Sequence, residues 1–202
     1  AANAQRVQVF IREKGIEIPT EQLNVREGKQ FLEPFTSMNP FHCVPFLELD
    51  DGTVISESIS ICRYLEEIYP NPALFGTTAE TRAIIDMWLR RFELDGFLPM
   101  LHAVRNHLEN FKGRVIPGTR TDLPQVPQMV TRGIEMGKMF LERVEPHMAE
   151  NEFVAGSRFS VADITAFFTI KLTTPLKIDI NASYPGVAAW MDRMSKREAF
   201  NI

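Results

Sequence analysis

Cysteine is scarce in this chain: among 202 residues only Cys43 and Cys62 carry a thiol, and they form no C-x-x-C pair. The sequence leaves a lone disulfide between them open, and two reduced thiols, as in a cytoplasmic protein, are the expectation. No secretory leader opens the sequence. No apolar run approaches the ~18 residues that span a bilayer, so no membrane partner is expected. Positive charge is in short supply as well. Lys and Arg number 22 against 26 Asp and Glu, a net charge of −4, and no basic run occurs. Bulk attraction to nucleic acid is therefore not expected. Nor is a metal. Strand patterns are almost missing beyond residue 78. What remains is 45% hydrophobic and 24% charged, the composition of a globular protein, and its length suits one or two domains.

The pattern of what is present changes once along the chain. "AANAQRVQVFIREKG" reads as a helix with Val7, Phe10 and Ile11 on one face and Gly15 as its stop signal. No strand precedes it, which leaves open a first strand, and a catalytic side chain, upstream of Ala1. "IEIPTEQLNV" leans to strand, with Pro19 at an edge, and "KQFLEPFTSM" to a short interrupted helix or loop. "VPFLELD" and "TVIS" read as strands joined by a two-residue Asp51-Gly52 hairpin turn. From Glu57 to Tyr69 the apolar residues Ile59, Ile61, Cys62, Leu65 and Ile68 recur at helical spacing. "PNPALFGTT" interrupts with two prolines and a glycine, the composition of a linker. Four helical patterns follow: 79–111, bent around Gly96-Phe97-Leu98-Pro99; 125–150; "SRFSVADITAFFTIKL"; and "YPGVAAWMDRMSKREAF". The expected domains are thus an α/β unit over 1–69, a linker over 70–78 and an all-α unit over 79–202.

Two stretches, "NPFHCVPFLELDDGTVISES" and "GSRFSVADITAF", resemble the cytosolic glutathione S-transferases. The first is similar to the family's N-P-x-x-x-V-P … D-G … E-S segment, the second to its buried capping motif, and "YPGVAAWMDRM" to its C-terminal helix. "GIEIPTEQLNV", "ELDDGT", "ESISICRYLE" and "MWLRRFE" resemble an atypical bacterial and fungal subgroup. The resemblance implies a thioredoxin-like N-terminal domain, a helical-bundle C-terminal domain and glutathione as co-substrate. It also implies a homodimer paired through the helices that begin at Glu57 and Ala79.

Residue by residue, the resemblance meets ordinary chemistry. It implies a cis Val44-Pro45 bond that turns the Val44 backbone toward an extended ligand, a small β-strand addition that would hold the cysteinyl part of glutathione. Glu57 and Ser58 open a helix, where free N–H groups and a partial positive charge attract a carboxylate. Ser58 adds a hydroxyl donor, and Glu57 adds an acceptor for an ammonium; together they match the γ-glutamyl zwitterion, although plain helix capping explains the same pair. Cys43 stands where many relatives carry Gln or Lys for the glycyl carboxylate, leaving His42 and Lys29 as candidates. Ser160 and Asp163 form a structural capping box, with Phe159 and Ile164 as its staple.

The residue that usually activates the thiol is missing. Ala1 and Ala2 align with the Ser or Cys and the Pro of patterns such as S-P-x-x-x-R-V and C-P-x-A-Q-R. Asn3 can donate its amide to a thiolate, or simply cap the helix. His107 is the alternative, through a Ser–His route of the helical domain, but Ala103 stands one turn before it where a hydroxyl is wanted. Met100, Leu101 and Val104 suit either an apolar acceptor pocket or core packing. Two functions follow as expectations: a transferase conjugating glutathione to small electrophilic apolar compounds, or a binding or interaction module without turnover.

Overall fold

The computed structural model describes residues 1–202. Helix α1 (Ala2–Lys14) buries Val7, Val9 and Phe10 and stops at Gly15, whose left-handed φ of 64° suits a residue without a Cβ. The chain then runs irregularly, with a single 3-10 turn at Lys29–Phe31, to a one-turn helix, α2 (Phe35–Met38). Strands β1 (Phe46–Glu48) and β2 (Val54–Ser56) pair antiparallel, with Leu47 opposite Ile55.

Two expectations are corrected here. The segment 16–25 is not a strand: the sheet consists of β1 and β2 alone, and no neighbouring strand lies alongside to complete a ladder. The hairpin loop has three residues rather than two. Leu49 and Thr53 still bond at 2.8 Å, so Asp50, Asp51 and Gly52 make the turn, with Gly52 at φ 83° in its left-handed position.

Helix α3 (Ser58–Ile68) lays Ile61, Cys62 and Leu65 on the core. A buried cluster then fastens the connection that the prolines and glycine mark as a linker. Lys14 forms an ion pair with Glu66 and donates to the carbonyls of Tyr69 (2.7 Å) and Pro72 (2.6 Å). Glu66 Oε1 accepts from the Leu74 and Phe75 N–H groups at 2.9 and 3.0 Å. The connection is therefore tied to α1 and α3.

Helix α4 (Ala79–Arg91) starts at a Thr78–Thr81 capping box and runs through a π-helical turn, Phe92–Phe97, into α5 (Leu98–His107). The π turn accounts for the irregularity expected near Gly96. A Cβ on Gly96 would lie 2.7 Å from Phe140 and 2.8 Å from Thr169, so only glycine fits. Helices α6 (Pro127–Glu150), α7 (Val161–Ile170), α8 (Ile180–Ser183) and α9 (Pro185–Ser195) complete the bundle. Every residue of α7 is buried, which is why its sequence is apolar all round.

Asp163 anchors the start of α7. It accepts from the N–H groups of Val154 and Ser160, both at 2.8 Å, and from the Ser160 hydroxyl at 3.2 Å. Burial pushes its pKa up to about 7 against the opposing pull of those donors. Helix α1 is also tied to the far end of the chain, where Arg197 grips Glu13 with two bonds of 2.9 and 2.8 Å. The apolar core runs without a break from Val7 to Phe200. No helix is long and apolar enough to cross a membrane.

Candidate functional site

The β2–α3 junction has the chemistry of an anion site. Glu57 occupies the N-cap position of α3 at φ 71° and ψ 124°, a conformation that costs a non-glycine residue about 1–3 kcal/mol. No side chain caps the helix, so its first-turn N–H groups point outward without partners. Glu57 is exposed, while Ser58 is buried except for a hydroxyl that makes no intramolecular bond.

Val44-Pro45 is a cis bond just before β1. The Val44 N–H and C=O make no hydrogen bond within the chain, whereas the residues before it are firmly held. Buried Asn39 organises them: its amide donates to the Cys43 carbonyl at 2.8 Å, and its carbonyl oxygen accepts from the Phe41 N–H at 3.2 Å. Burial pushes the Cys43 thiol pKa up, and the charge of nearby Glu57 adds to that. Cys62 is pushed up further by deep burial, and both cysteines are free thiols.

The remaining candidates are less uniform. His42 adopts a left-handed φ of 52° and packs its ring 4.9 Å from Phe31. Lys29 is exposed and 3.6 Å from Glu27, a surface pair of little energetic weight. Asn3 lies inside the first turn of α1; Ala1, not Asn3, is the N-cap, so the capping role is set aside. Its Oδ1 is buried without a partner, and its amide nitrogen makes no bond to the chain. His107 is exposed at the end of α5, and Ala103 beneath it is sealed in the core. Met100 and Val104 are core residues as well, with Met100 wholly buried; only Leu101 of that trio has exposed surface. The acceptor-pocket expectation therefore fails for Met100 and Val104: their side of α5 packs into the bundle, where Met100 lies against Gly137.

The comparisons with known proteins match this arrangement. Residues 2–68 fit the model described as "Glutathione S-transferase, N-terminal domain" and residues 134–198 the one described as "Glutathione S-transferase, C-terminal domain". A glutathione S-transferase of class Gtt2 from Vibrio parahaemolyticus superposes with a TM-score of 0.84 at 33% identity, over 100% of this chain and 92% of that one. The chain belongs to the glutathione S-transferase family. Glutathione S-transferase 2 of Saccharomyces cerevisiae is 27% identical over 95% of this chain and 81% of its own length. The maleylacetoacetate isomerase of Rattus norvegicus is 27% identical over 98% and 85%. The wider group is thus one of glutathione-dependent transferases and isomerases, with the thioredoxin-like and helical domains in the same order.

In this glutathione S-transferase family member, sequence reasoning missed what braces the site from the helical side. Arg105 on α5 donates to the carbonyls of Val115 (3.0 Å) and Arg114 and lies over the Phe111 ring at 4.7 Å. Burial and neighbouring Arg114 lower its pKa to about 10. Gln125 ties the Arg105 and Leu108 carbonyls at 3.0 and 2.8 Å. The loop so held reaches the Asn39–Cys43 segment. Gly118 (φ 66°) leaves no room for a Cβ between the Phe41 carbonyl and the Cys43 sulfur, the latter 2.8 Å from where it would stand. Nothing local in the sequence marks an Arg at position 105 as facing a loop rather than solvent.

Proposed function

We propose that this family member is a glutathione transferase that joins glutathione to small electrophiles. The observation that carries the reading is the pair of unsatisfied polar edges: the uncapped N-terminus of α3 at Glu57-Ser58 and the unbonded Val44 backbone. The γ-glutamyl carboxylate suits the α3 N–H groups and the Ser58 hydroxyl, and its ammonium suits Glu57. The cysteinyl backbone suits Val44, next to Pro45. His42 and Lys29 are the candidates for the glycyl end. Asn3 donates its amide to the sulfur and favours the thiolate, aided by the N-terminus of α1. The thiolate attacks an electrophilic carbon; a C–S bond forms, and the displaced group leaves as an anion or the carbanion takes a proton. The protein is read as a cytoplasmic homodimer.

A second reading, a glutathione-binding module without turnover, is favoured by one observation. No hydroxyl or thiol stands in the first turn of α1, where Ala1, Ala2 and Asn3 are found. Calorimetry on Glu57→Ala and Ser58→Ala tests the site. Losing a hydrogen bond to a charged group costs about 1.5–3 kcal/mol, so each variant should bind glutathione at least about tenfold more weakly. Wild-type affinity in Glu57→Ala would remove the site assignment. Binding without conjugation of any aryl halide would select the second reading.

A further inference from the structure

The protein is acidic overall, yet one recess is dominated by cations. A cavity of about 700 Å³ lies between the 25–28 segment of the thioredoxin-like domain and the loop that follows α5. Arg26, Lys112, Arg114 and Arg120 line it, Asp122 is its one acid, and no apolar side chain contributes. A structural strut explains only Arg114, which donates to the Val25 carbonyl at 3.2 Å and the Asn110 carbonyl at 3.0 Å. Both partners are neutral, so its charge stays uncompensated. Arg120 lies 4.9 Å over the Phe31 ring, a contact that sets its direction and neutralises nothing. The side chains of Arg26 and Arg120 make no hydrogen bond or ion pair, and Lys112 reaches only exposed Glu109, at 3.8 Å.

Arg26, Lys112 and Arg120 are exposed and Arg114 half-buried, so solvent screens their mutual repulsion without removing it. Here aromatic and carbonyl contacts hold two of the guanidinium groups in place. Planar guanidinium forks held in advance match the paired oxygens of carboxylate and phosphate. The groove is open to solvent, and its volume falls within the roughly 300–1,000 Å³ of small-molecule sites.

We propose that this cleft is a binding site for a small organic or inorganic polyanion carrying two or more carboxylate or phosphate groups. The site is separate from the Glu57-Ser58 and Val44 edges and does not depend on the transferase reading. It adjoins the glycyl-end candidates: Arg120 stacks on Phe31, whose ring packs 4.9 Å from His42, and its guanidinium fills the space beside Gly28, next to Lys29.

Calorimetry with citrate and with pyrophosphate as probes, and acetate as the monovalent control, tests it at low ionic strength. At least one polyanion should bind in the sub-millimolar range, acetate should not, and rising salt should weaken binding. Whichever probe binds more tightly names the source chemistry. Arg26→Gln and Arg120→Gln should each weaken binding about tenfold. Asp122→Asn should tighten it, a change of sign that a merely structural role would not produce. Saturating glutathione should leave the affinity in place. The proposal is overturned if neither polyanion binds, if Arg26→Gln and Asp122→Asn both bind as the wild type does, or if glutathione displaces the probe one for one.

Discussion

Replacing Lys14 by Met should unfasten the connection between the two domains, at a cost that follows from what Lys14 holds. Its side chain is 0% exposed and that of Glu66 is 10% exposed. Three acceptors share its ammonium: the Glu66 carboxylate and the carbonyls of Tyr69 and Pro72. Methionine fills nearly the same volume, so cavity formation adds little. The loss is electrostatic. Breaking a buried pair by removing one partner typically costs about 3–5 kcal/mol, because the remaining charge is stranded. Against a total stability of about 5–15 kcal/mol, that is a large share. Adding Glu66→Gln should restore part of it. Glutamine keeps an oxygen for the Leu74 and Phe75 N–H groups and removes the stranded charge, so the double variant should regain about 2 kcal/mol over Lys14→Met alone. Urea unfolding followed by Trp88 and Trp190 fluorescence, at one fixed protein concentration, measures all four species of the cycle. A loss below about 1 kcal/mol in Lys14→Met, or a double variant no better than the sum of the single ones, would refute the account.

Asp163→Ala should cost about 2–4 kcal/mol in the same assay, since it strands the buried N–H groups of Val154 and Ser160. Burial raises the folded pKa of Asp163 to about 7, above the unfolded carboxylate range. The group's contribution is therefore full at low pH and is lost as pH rises through 7. The wild-type advantage over Asp163→Ala should shrink between pH 4 and pH 8, and a widening gap would show that the three donors outweigh burial. Asn3→Ala should raise the pKa of bound glutathione's thiol and slow conjugation while leaving affinity near wild type; His107→Ala should change neither. The thiolate absorbance band followed against pH decides between them, and the opposite pattern would move the chemistry to α5. Light scattering at micromolar concentration should give about twice the 23.1 kDa chain mass, and a value near one chain would exclude the two-fold dimer.

The helices were legible because each carries its own instructions. Ile61, Cys62 and Leu65 recur at helical spacing, Gly15 ends α1, and Ser160 with Asp163 starts α7. The Val-Pro and Glu-Ser steps were legible for a similar reason: unusual backbone geometry leaves a local residue signature. Segment 16–25 misled because strand character in one segment has no meaning until another segment pairs with it. Met100 and Val104 misled because an apolar face on a helix does not say whether it meets a ligand or another helix.

The sequence by itself determined the order of elements, the helix ends and the acid–hydroxyl pair that opens α3, all properties of residues a few positions apart. Only the tertiary structure decided which charges meet. Glu66 and Lys14 lie 52 positions apart, Arg197 and Glu13 lie 184 apart, and Arg26 faces Arg120 across two domains. Coulomb interaction and hydrogen bonding act over a few ångströms of space, and distance along the chain gives no measure of that separation until the core has packed.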